Sequence, residues 1–210
     1  MANVDFSALA PLAVVQETME AVKSCGISVE LLATGKEALD RLKSIIPAGA
    51  SIMTGASVTL REIGFEELLI SKAHPWKNLK EDILSEKDPA RQLALRKQAL
   101  LADYFLGSVH AIARTGELVV ASATGSQLAP YAFSSANVIW VAGIQKITQT
   151  VEEGIRRIRE YIMPHEEVRM RAMTGGKMGT MLGKLLIFER EAPFLGRTVR
   201  LLLVREKVGD

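Results

Sequence analysis

The chain has 210 residues, of which 48% are hydrophobic and 24% charged, and its formal net charge at pH 7 is +2. These values are ordinary for a soluble globular protein, and we expect a single domain over residues 1–210. A charge this close to zero creates no strong field for nucleic acid or for an anionic membrane surface. We therefore predict neither of these partners.

The cysteine content and the N-terminal residues indicate in which cellular compartment we expect the protein. Cys25 is the single cysteine, so no internal disulfide, metal cluster or iron–sulfur site is predicted. The first residues lack the basic stretch and apolar core of a signal peptide, and no apolar run reaches the ~20 residues of a membrane span. We expect a cytoplasmic protein in which Cys25 is a small buried or half-buried side chain.

Alternating helices and strands are predicted over the first part of the chain. Apolar residues at helical spacing predict a helix over about 9–25, and a β-branched run predicts a strand at 27–32. Thr34 and Glu37 form a capping box that opens the next helix. A short strand follows at 51–53.

The segment after this strand contains small and hydroxyl residues, Gly55, Ser57 and Thr59, before a helical turn. Such a segment presents backbone N–H groups and hydroxyls that suit a phosphate or a carboxylate. The same pattern is also a common helix cap, so Ser57 either binds a ligand or only satisfies the helix amides.

The stretch 74–87 is the least regular part of the chain. His74 and Trp76 could belong to a lid over a site, or Trp76 could pack on the surface. Asp88 and Pro89 then start a helix as N-cap and first residue.

Residues 103–146 hold most of the features that bear on function. Short apolar strands there end in Gly, Ser or Lys residues, and an α/β protein builds small-molecule sites at the carboxyl ends of its strands. The ligand-binding candidates in this stretch are Gly107, Ser108, Gly125, Ser126, Gln127, Gly143 and Lys146. Lys146 either pairs with an anion held by the neighbouring loops or is a surface lysine.

Three residues are candidates for proton transfer: His110, Glu62 and Glu117. His110 has no evident partner, so a structural role is the alternative, and Glu117 faces either the site or solvent. No Ser-His-Asp order, paired carboxylate or GxGxxG dinucleotide motif can be assembled. Hydrolase and dehydrogenase functions therefore have no positive support, and no cofactor is predicted.

Thr150 and Glu153 form a second capping box, which opens an amphipathic helix. We expect this helix to end at Pro164 and to carry Arg157 on a solvated, charged face. A further short helix is expected at 165–173.

Two apolar runs close the chain, Lys184 to Glu189 and Thr198 to Glu206, and we expect them to pair antiparallel and to offer an edge for a homodimer. The predicted fold class is therefore α/β, with a mostly parallel central sheet, helices on both faces and an antiparallel C-terminal strand pair.

Several segments resemble the LUD domain, a family named for lactate utilisation and formerly a domain of unknown function. They are TGASVTLREIG, LADYFLGSVHAIARTGELVVASATGSQLAPYAF, VIWVAGIQKI and KLLIFERE…GRTVRLLLVREKVG, and the match runs from about Ile27 onward. The resemblance implies a fold similar to the NagB/RpiA/CoA-transferase-like group. Members of that group bind sugar phosphates or acyl-CoA at the carboxyl ends of their strands.

The chain departs from these relatives in two places. Sugar-phosphate isomerases of the wider group have a Gly-Ala-Asp sequence whose Asp does acid–base work, where this chain has Gly107, Ser108 and Val109. Larger LUD proteins carry iron–sulfur cysteines that this chain lacks, which implies that electron transfer would belong to a redox partner protein.

The leading hypothesis is a LUD-domain protein that binds a small anionic metabolite in lactate or related organic-acid utilisation. Two alternatives stay open: an isomerase or acyl/CoA-transfer enzyme acting on a phosphorylated or CoA-linked substrate, and a non-catalytic subunit of a larger complex.

Overall fold

The computed structural model describes residues 4–210, which form ten strands in two sheets. The strands are β1 Ser28–Leu32, β2 Ser51–Thr54, β3 Lys77–Asn78, β4 Tyr104–Gly107, β5 Ala111–Ala113, β6 Leu118–Ser122, β7 Asn137–Gly143, β8 Ile147–Thr148, β9 Lys184–Phe188 and β10 Thr198–Val204. The α-helices are α1 Leu12–Ser24, α2 Gly35–Ile45, α3 Val58–Glu62, α4 Phe65–Ile70, α5 Leu79–Ser85, α6 Pro89–Gln98, α7 Val151–Arg157 and α8 Met163–Thr174.

The larger sheet has six parallel strands in the order β1-β10-β7-β4-β2-β3. Parallel strands need crossover connections, and helices provide most of these on both sides of the sheet. All carboxyl ends of the strands therefore lie at one edge. The predicted α/β fold with a mostly parallel sheet is confirmed.

The smaller sheet is mixed, with strand order β8-β5-β6-β9. Strand β5 pairs antiparallel with β6 across the Thr115-Gly116 turn. Strand β8 pairs parallel with β5, and β9 pairs antiparallel with β6.

The predicted antiparallel pairing of the last two strands is wrong. Strand β9 joins the smaller sheet, whereas β10 lies inside the larger sheet between β1 and β7 and runs parallel to both. The side chains of Leu201–Val204 are buried without alternation, which is the pattern of an interior parallel strand covered on both faces. Strand β10 therefore has no free edge, and only β9 of this pair remains at a sheet edge.

Side-chain caps fix several helix starts at the positions that the sequence predicted. Thr34 accepts a hydrogen bond from the Glu37 N–H, Asp88 accepts one from the Ala90 N–H, and Thr150 accepts one from the Glu153 N–H.

The helix that begins at Val151 does not end at Pro164, so this prediction is wrong. After α7 it widens into a π turn over Ile158–Ile162, in which the Met163 N–H donates to the Ile158 carbonyl. It then continues as α8 through Pro164 to Thr174. The π turn changes the hydrogen-bond ladder just before the proline, so the missing N–H costs little.

Three apolar clusters connect the two sheets and the helices that pack on them. One lies between the larger sheet and α2 to α4, and it includes Leu42, Leu60 and Val141. A second joins α1, the opposite face of the larger sheet and the smaller sheet, with Trp140 contacting Phe188 edge to face at 5.3 Å. The third packs Ile158 and Ile162 against the smaller sheet. Both sheets therefore share buried surface.

Trp76 is neither part of a lid nor a surface aromatic. Its side chain is buried in the first of these clusters, where it stacks on Phe65, and its indole N–H donates to the Ile46 carbonyl at 3.1 Å.

Within the described residues, no helix combines the length and the apolar character that crossing a membrane requires.

Candidate functional site

A cavity of about 290 Å³ opens at the carboxyl edge of the larger sheet, between that edge, the end of β6 and the helix α8. It lies where parallel α/β sheets place their ligands. Most of the candidates from the sequence meet here, because the loops after β2, β4, β6 and β7 converge. The candidates that line the cavity are Gly55, Ser57, Thr59, Ser108, His110, Ser126, Gln127 and Lys146.

Lys146 lies at the floor of the cavity, in the single 3₁₀ turn that follows β7. Only 4% of the residue is exposed, so it is not a surface lysine. Its Nζ donates to Thr59 Oγ1 at 3.0 Å and to Ser108 Oγ at 3.1 Å, and these two oxygens are 3.2 Å apart. The segments that follow β2, β4 and β7 thus meet in one compact cluster of an amine and two hydroxyls.

The environment of this amine disfavours its charged form. Burial and, after it, the nearby Arg157 guanidinium lower the pKa of Lys146, whereas the carboxylates of Asp210 and Glu62 raise it, and the net result is a pKa of about 7. Near neutral pH the cluster therefore contains both the ammonium and the free amine.

His110 is held as a neutral donor rather than as an acid–base group. Its Nδ1 accepts a hydrogen bond from the Ala121 N–H at 3.1 Å, which places the proton on Nε2. Burial, with Lys146 and Arg157 nearby, lowers the pKa of His110 to about 3. The neutral ring therefore offers an N–H to the cavity at physiological pH.

Ser57 has both of the roles that the sequence left open. Its Oγ accepts a hydrogen bond from the Leu60 N–H at the start of α3, and the residue also lines the cavity. Beside it, a Cβ on Gly55 would lie 2.5 Å from Gln127 Oε1. Gly55 is therefore needed for the close packing of the Gln127 side chain, whose Nε2 donates to the Ala121 carbonyl.

The other glycine candidates do not line the cavity but shape its surroundings. A Cβ on Gly107 would lie 1.7 Å from the Tyr131 hydroxyl, and one on Gly143 would lie 2.0 Å from Gln145 Oε1. Gly125 has a φ of +87°, which favours glycine, and it packs on the stem of Lys184.

Neither glutamate candidate lines the cavity. Glu62 accepts a hydrogen bond from the Gly209 N–H at 2.5 Å and so holds the end of the chain near Lys146. Glu117 is hydrogen-bonded to Thr115 in the turn between β5 and β6. Among residues 4–210, no three His, Cys, Asp or Glu side chains are grouped in a way that could hold a metal ion.

The family model described as the LUD domain matches residues 15–177. The chain belongs to the LUD domain family. Its structure is similar to the crystal structure, at 1.70 Å resolution, of a DUF162 family protein from Deinococcus radiodurans. The two share 13% sequence identity and a TM-score of 0.50, over 94% of this chain and 98% of that chain. At this identity the likeness shows a common fold. No curated protein matches the chain.

Arg157 of this LUD domain was predicted on a solvated helix face, and that prediction is wrong. Its side chain is fully buried. It donates to the carbonyls of Phe6, His110 and Asp210, at 3.3, 2.8 and 3.3 Å. These acceptors come from distant parts of the chain, so helical periodicity could not reveal them.

The segment after β10 forms one wall of the site, which the sequence did not indicate. Gln145 Nε2 donates to the carbonyls of Val208 and Gly209, each at 3.0 Å. Gly209 has a φ of +71°, and a Cβ there would lie 2.2 Å from Thr59 Oγ1 and 2.9 Å from Lys146 Nζ. A glycine is required for the backbone to pass this close to the Lys146 cluster.

Helix α8 adds a paired arginine to the opposite wall. Arg169 lines the cavity and donates two hydrogen bonds to the carboxylate of Glu166, one turn earlier. This pairing raises the pKa of Arg169. The charge of Arg169 is thus partly balanced, which leaves Lys146 as the cation on the cavity floor.

Proposed function

We propose that this LUD domain binds a small anionic metabolite in the cavity at Lys146 and takes part in the utilisation of lactate or a related organic acid. The observation that carries the proposal is the hydrogen-bonding state of Lys146. An ammonium has three N–H donors, and two of them have acceptors among the described residues, Thr59 and Ser108. The third is left for a ligand.

The rest of the cavity supports a small, oxygen-rich ligand. Hydroxyls of Ser57, Thr59, Ser108 and Ser126 lie along its lining, and His110 adds a neutral N–H donor. A volume of about 290 Å³ is at the lower end of the range for ligand pockets, which suits a metabolite of few carbon atoms. The family's name supports the link to lactate.

A thermal-shift screen against lactate, other hydroxy acids, sugar phosphates, CoA esters and inorganic phosphate tests this proposal. A ligand present at 100 times its dissociation constant should stabilise the protein by about 2.7 kcal/mol. We expect Lys146→Met to abolish the shift because it removes the cation and keeps the length of the side chain.

The matched control is Lys184→Met, which removes an exposed lysine close to Gly125. This variant should keep the full shift. If no compound stabilises the wild type, or if Lys146→Met responds as the wild type does, the proposed function is wrong.

A further inference from the structure

We propose that Ser108 is a nucleophile toward small activated acyl groups, esters or thioesters, and that Lys146 is its general base. This activity goes beyond anion binding and does not depend on the identity of the anion. It assigns a reaction to two side chains of the same cavity.

Ser108 and Lys146 are in direct contact. Ser108 Oγ and Lys146 Nζ are 3.1 Å apart, which is within the distance for direct proton transfer between a nucleophile and its base. Thr59 Oγ1 lies 3.0 Å from the same Nζ and fixes the amine beside the serine. Serine–lysine pairs are an established variant of the serine nucleophile and need no histidine or aspartate.

Ser108 is the more accessible of the two residues. Ser108 is half-buried and lines the cavity, whereas Lys146 is only 4% exposed and is crowded by the Gly209 backbone. A substrate carbonyl can therefore approach the hydroxyl more easily than the amine. This arrangement favours serine as the attacking group and lysine as the base behind it.

The protonation state of the lysine is compatible with this role. A general base must be partly unprotonated at the working pH. Because burial lowers the pKa of Lys146 to about 7, a substantial fraction of the amine is free at neutral pH.

The cavity also provides a donor for the negative charge that develops on the substrate oxygen. Nε2 of His110 carries the proton, since Nδ1 is occupied by the Ala121 N–H, and no other residue within 4–210 is hydrogen-bonded to Nε2. A neutral N–H donor in a cavity of this kind can stabilise an oxyanion. The volume of about 290 Å³ restricts the acyl group to a few carbons.

The reaction balances with these residues and water alone. The free amine of Lys146 takes the proton of Ser108 while Oγ attacks the carbonyl carbon, and a C–O bond forms. The bond to the alkoxide or thiolate breaks, and the leaving group takes the proton from the Lys146 ammonium. Water then attacks the acyl-serine, Lys146 accepts its proton and returns it to Ser108, and the carboxylic acid is released.

The test is acetylation of the purified protein by p-nitrophenyl acetate at pH 8, followed by acid quenching and peptide mass spectrometry. We expect one acetyl group on Ser108 and a matching burst of p-nitrophenolate. Ser108→Ala should remove both, and Lys146→Met should slow acetylation by about 100-fold or more.

Ser85→Ala is the matched control, because Ser85 is an exposed serine that does not line the cavity and its hydroxyl donates to the Asp82 carbonyl within α5. It should leave acetylation unchanged. Circular dichroism of each variant establishes that it is folded. An acetyl group on Lys146 or Ser126, undiminished labelling of folded Lys146→Met, or no acetylation of the wild type would each overturn the proposal.

The pH dependence separates this activity from anion binding. The groups around Lys146 are Arg157 from α7, Glu62 from α3, Asp210 after β10 and the neutral His110. Acetylation should accelerate as pH rises through about 7, since the free amine is required, whereas anion binding should weaken over the same range. A flat acetylation rate across this range would contradict the role of Lys146, whatever the anion screen shows.

Discussion

At Lys146 a basic side chain is kept where little water can solvate its charge. Its two hydroxyl partners, Thr59 and Ser108, are neutral, so they compensate only part of the loss of hydration. Burial therefore lowers the pKa to about 7, and the folded protein is less stable than it would be with an uncharged residue there. Such a cost at a cavity floor is typical of a functional site.

Replacement of Lys146 by Met should accordingly stabilise the protein, and the gain should depend on pH. The unfolded chain holds this proton up to about pH 10.5, whereas the folded protein releases it near 7, so wild-type stability rises with pH between these values. Urea denaturation at pH 6 should show a gain on the order of 1 kcal/mol or more. The gain should shrink toward pH 10, and an equal gain at both pH values would contradict the lowered pKa.

Gly107 is needed for packing beneath the Lys146 cluster. Because its Cβ would lie 1.7 Å from the Tyr131 hydroxyl and 3.0 Å from the ring carbon that carries it, Gly107→Ala should lower the free energy of unfolding by about 1–3 kcal/mol. The double variant with Tyr131→Phe should regain part of this loss, which thermal denaturation can measure. Additive losses in the double variant would rule out the clash.

The site could be predicted from the sequence where it depends on local features. The pattern of small and hydroxyl residues after predicted strands identified Ser57, Ser108 and Ser126 as candidates. The position of Lys146 just after β7 identified it in the same way. The roles of Arg157 and Gly209 depend on partners far away in sequence: Arg157 is 47 positions from His110 and 53 positions from Asp210. No local pattern encodes such contacts.

At the scale of elements, the long helix from Val151 to Thr174 places two neighbouring arginines in different surroundings. Arg157 and Arg156 are adjacent, yet the first is fully buried and the second has 27% of its side chain exposed. Arg157 binds three carbonyls, whereas Arg156 lies over Phe6 and pairs with Glu160.

This difference predicts unequal losses for two matched substitutions. Arg157→Met leaves three carbonyls, one in a buried and two in part-buried hydrogen bonds, without this donor, and it should lower the free energy of unfolding by about 3 kcal/mol. Arg156→Met loses a partly exposed ion pair and a cation–π contact, so about 1 kcal/mol or less is expected. Chemical denaturation of both variants checks this, and equal losses would mean that Arg157 does not hold these segments together.

Strands were predicted more reliably than their pairing. Apolar runs and turn residues are local signals, and they located β4, β6, β7 and β10. Pairing is decided by contacts across the whole chain: β10 inserts between β1 and β7, which are far from it in sequence. The continuous apolar run of β10 is a signal for an interior parallel strand that a hairpin interpretation overlooks.

At the scale of the whole molecule, the two sheets meet through a common core. Trp140 of the larger sheet contacts Phe188 of the smaller one, and both side chains are buried. We therefore expect residues of both sheets to unfold as one cooperative unit, in keeping with a single domain.

Phe188→Ala tests this connection. The substitution should lower the free energy of unfolding by about 3 kcal/mol. The loss should be the same whether unfolding is followed by tryptophan fluorescence or by circular dichroism. Phe194→Ala is the control, since Phe194 is 88% exposed and its loss should be nearly neutral. Two separate transitions in the wild type would show that the sheets unfold independently.

The central claim is that the cavity at Lys146 binds a small anion, and the most direct test is a calorimetric titration with the strongest compound from the screen. We compare the wild type with Lys146→Met at pH 6 and pH 8. We predict one site per chain, weaker binding at pH 8 and no detectable binding to Lys146→Met. Binding that survives the substitution, with the same affinity at both pH values, would contradict it.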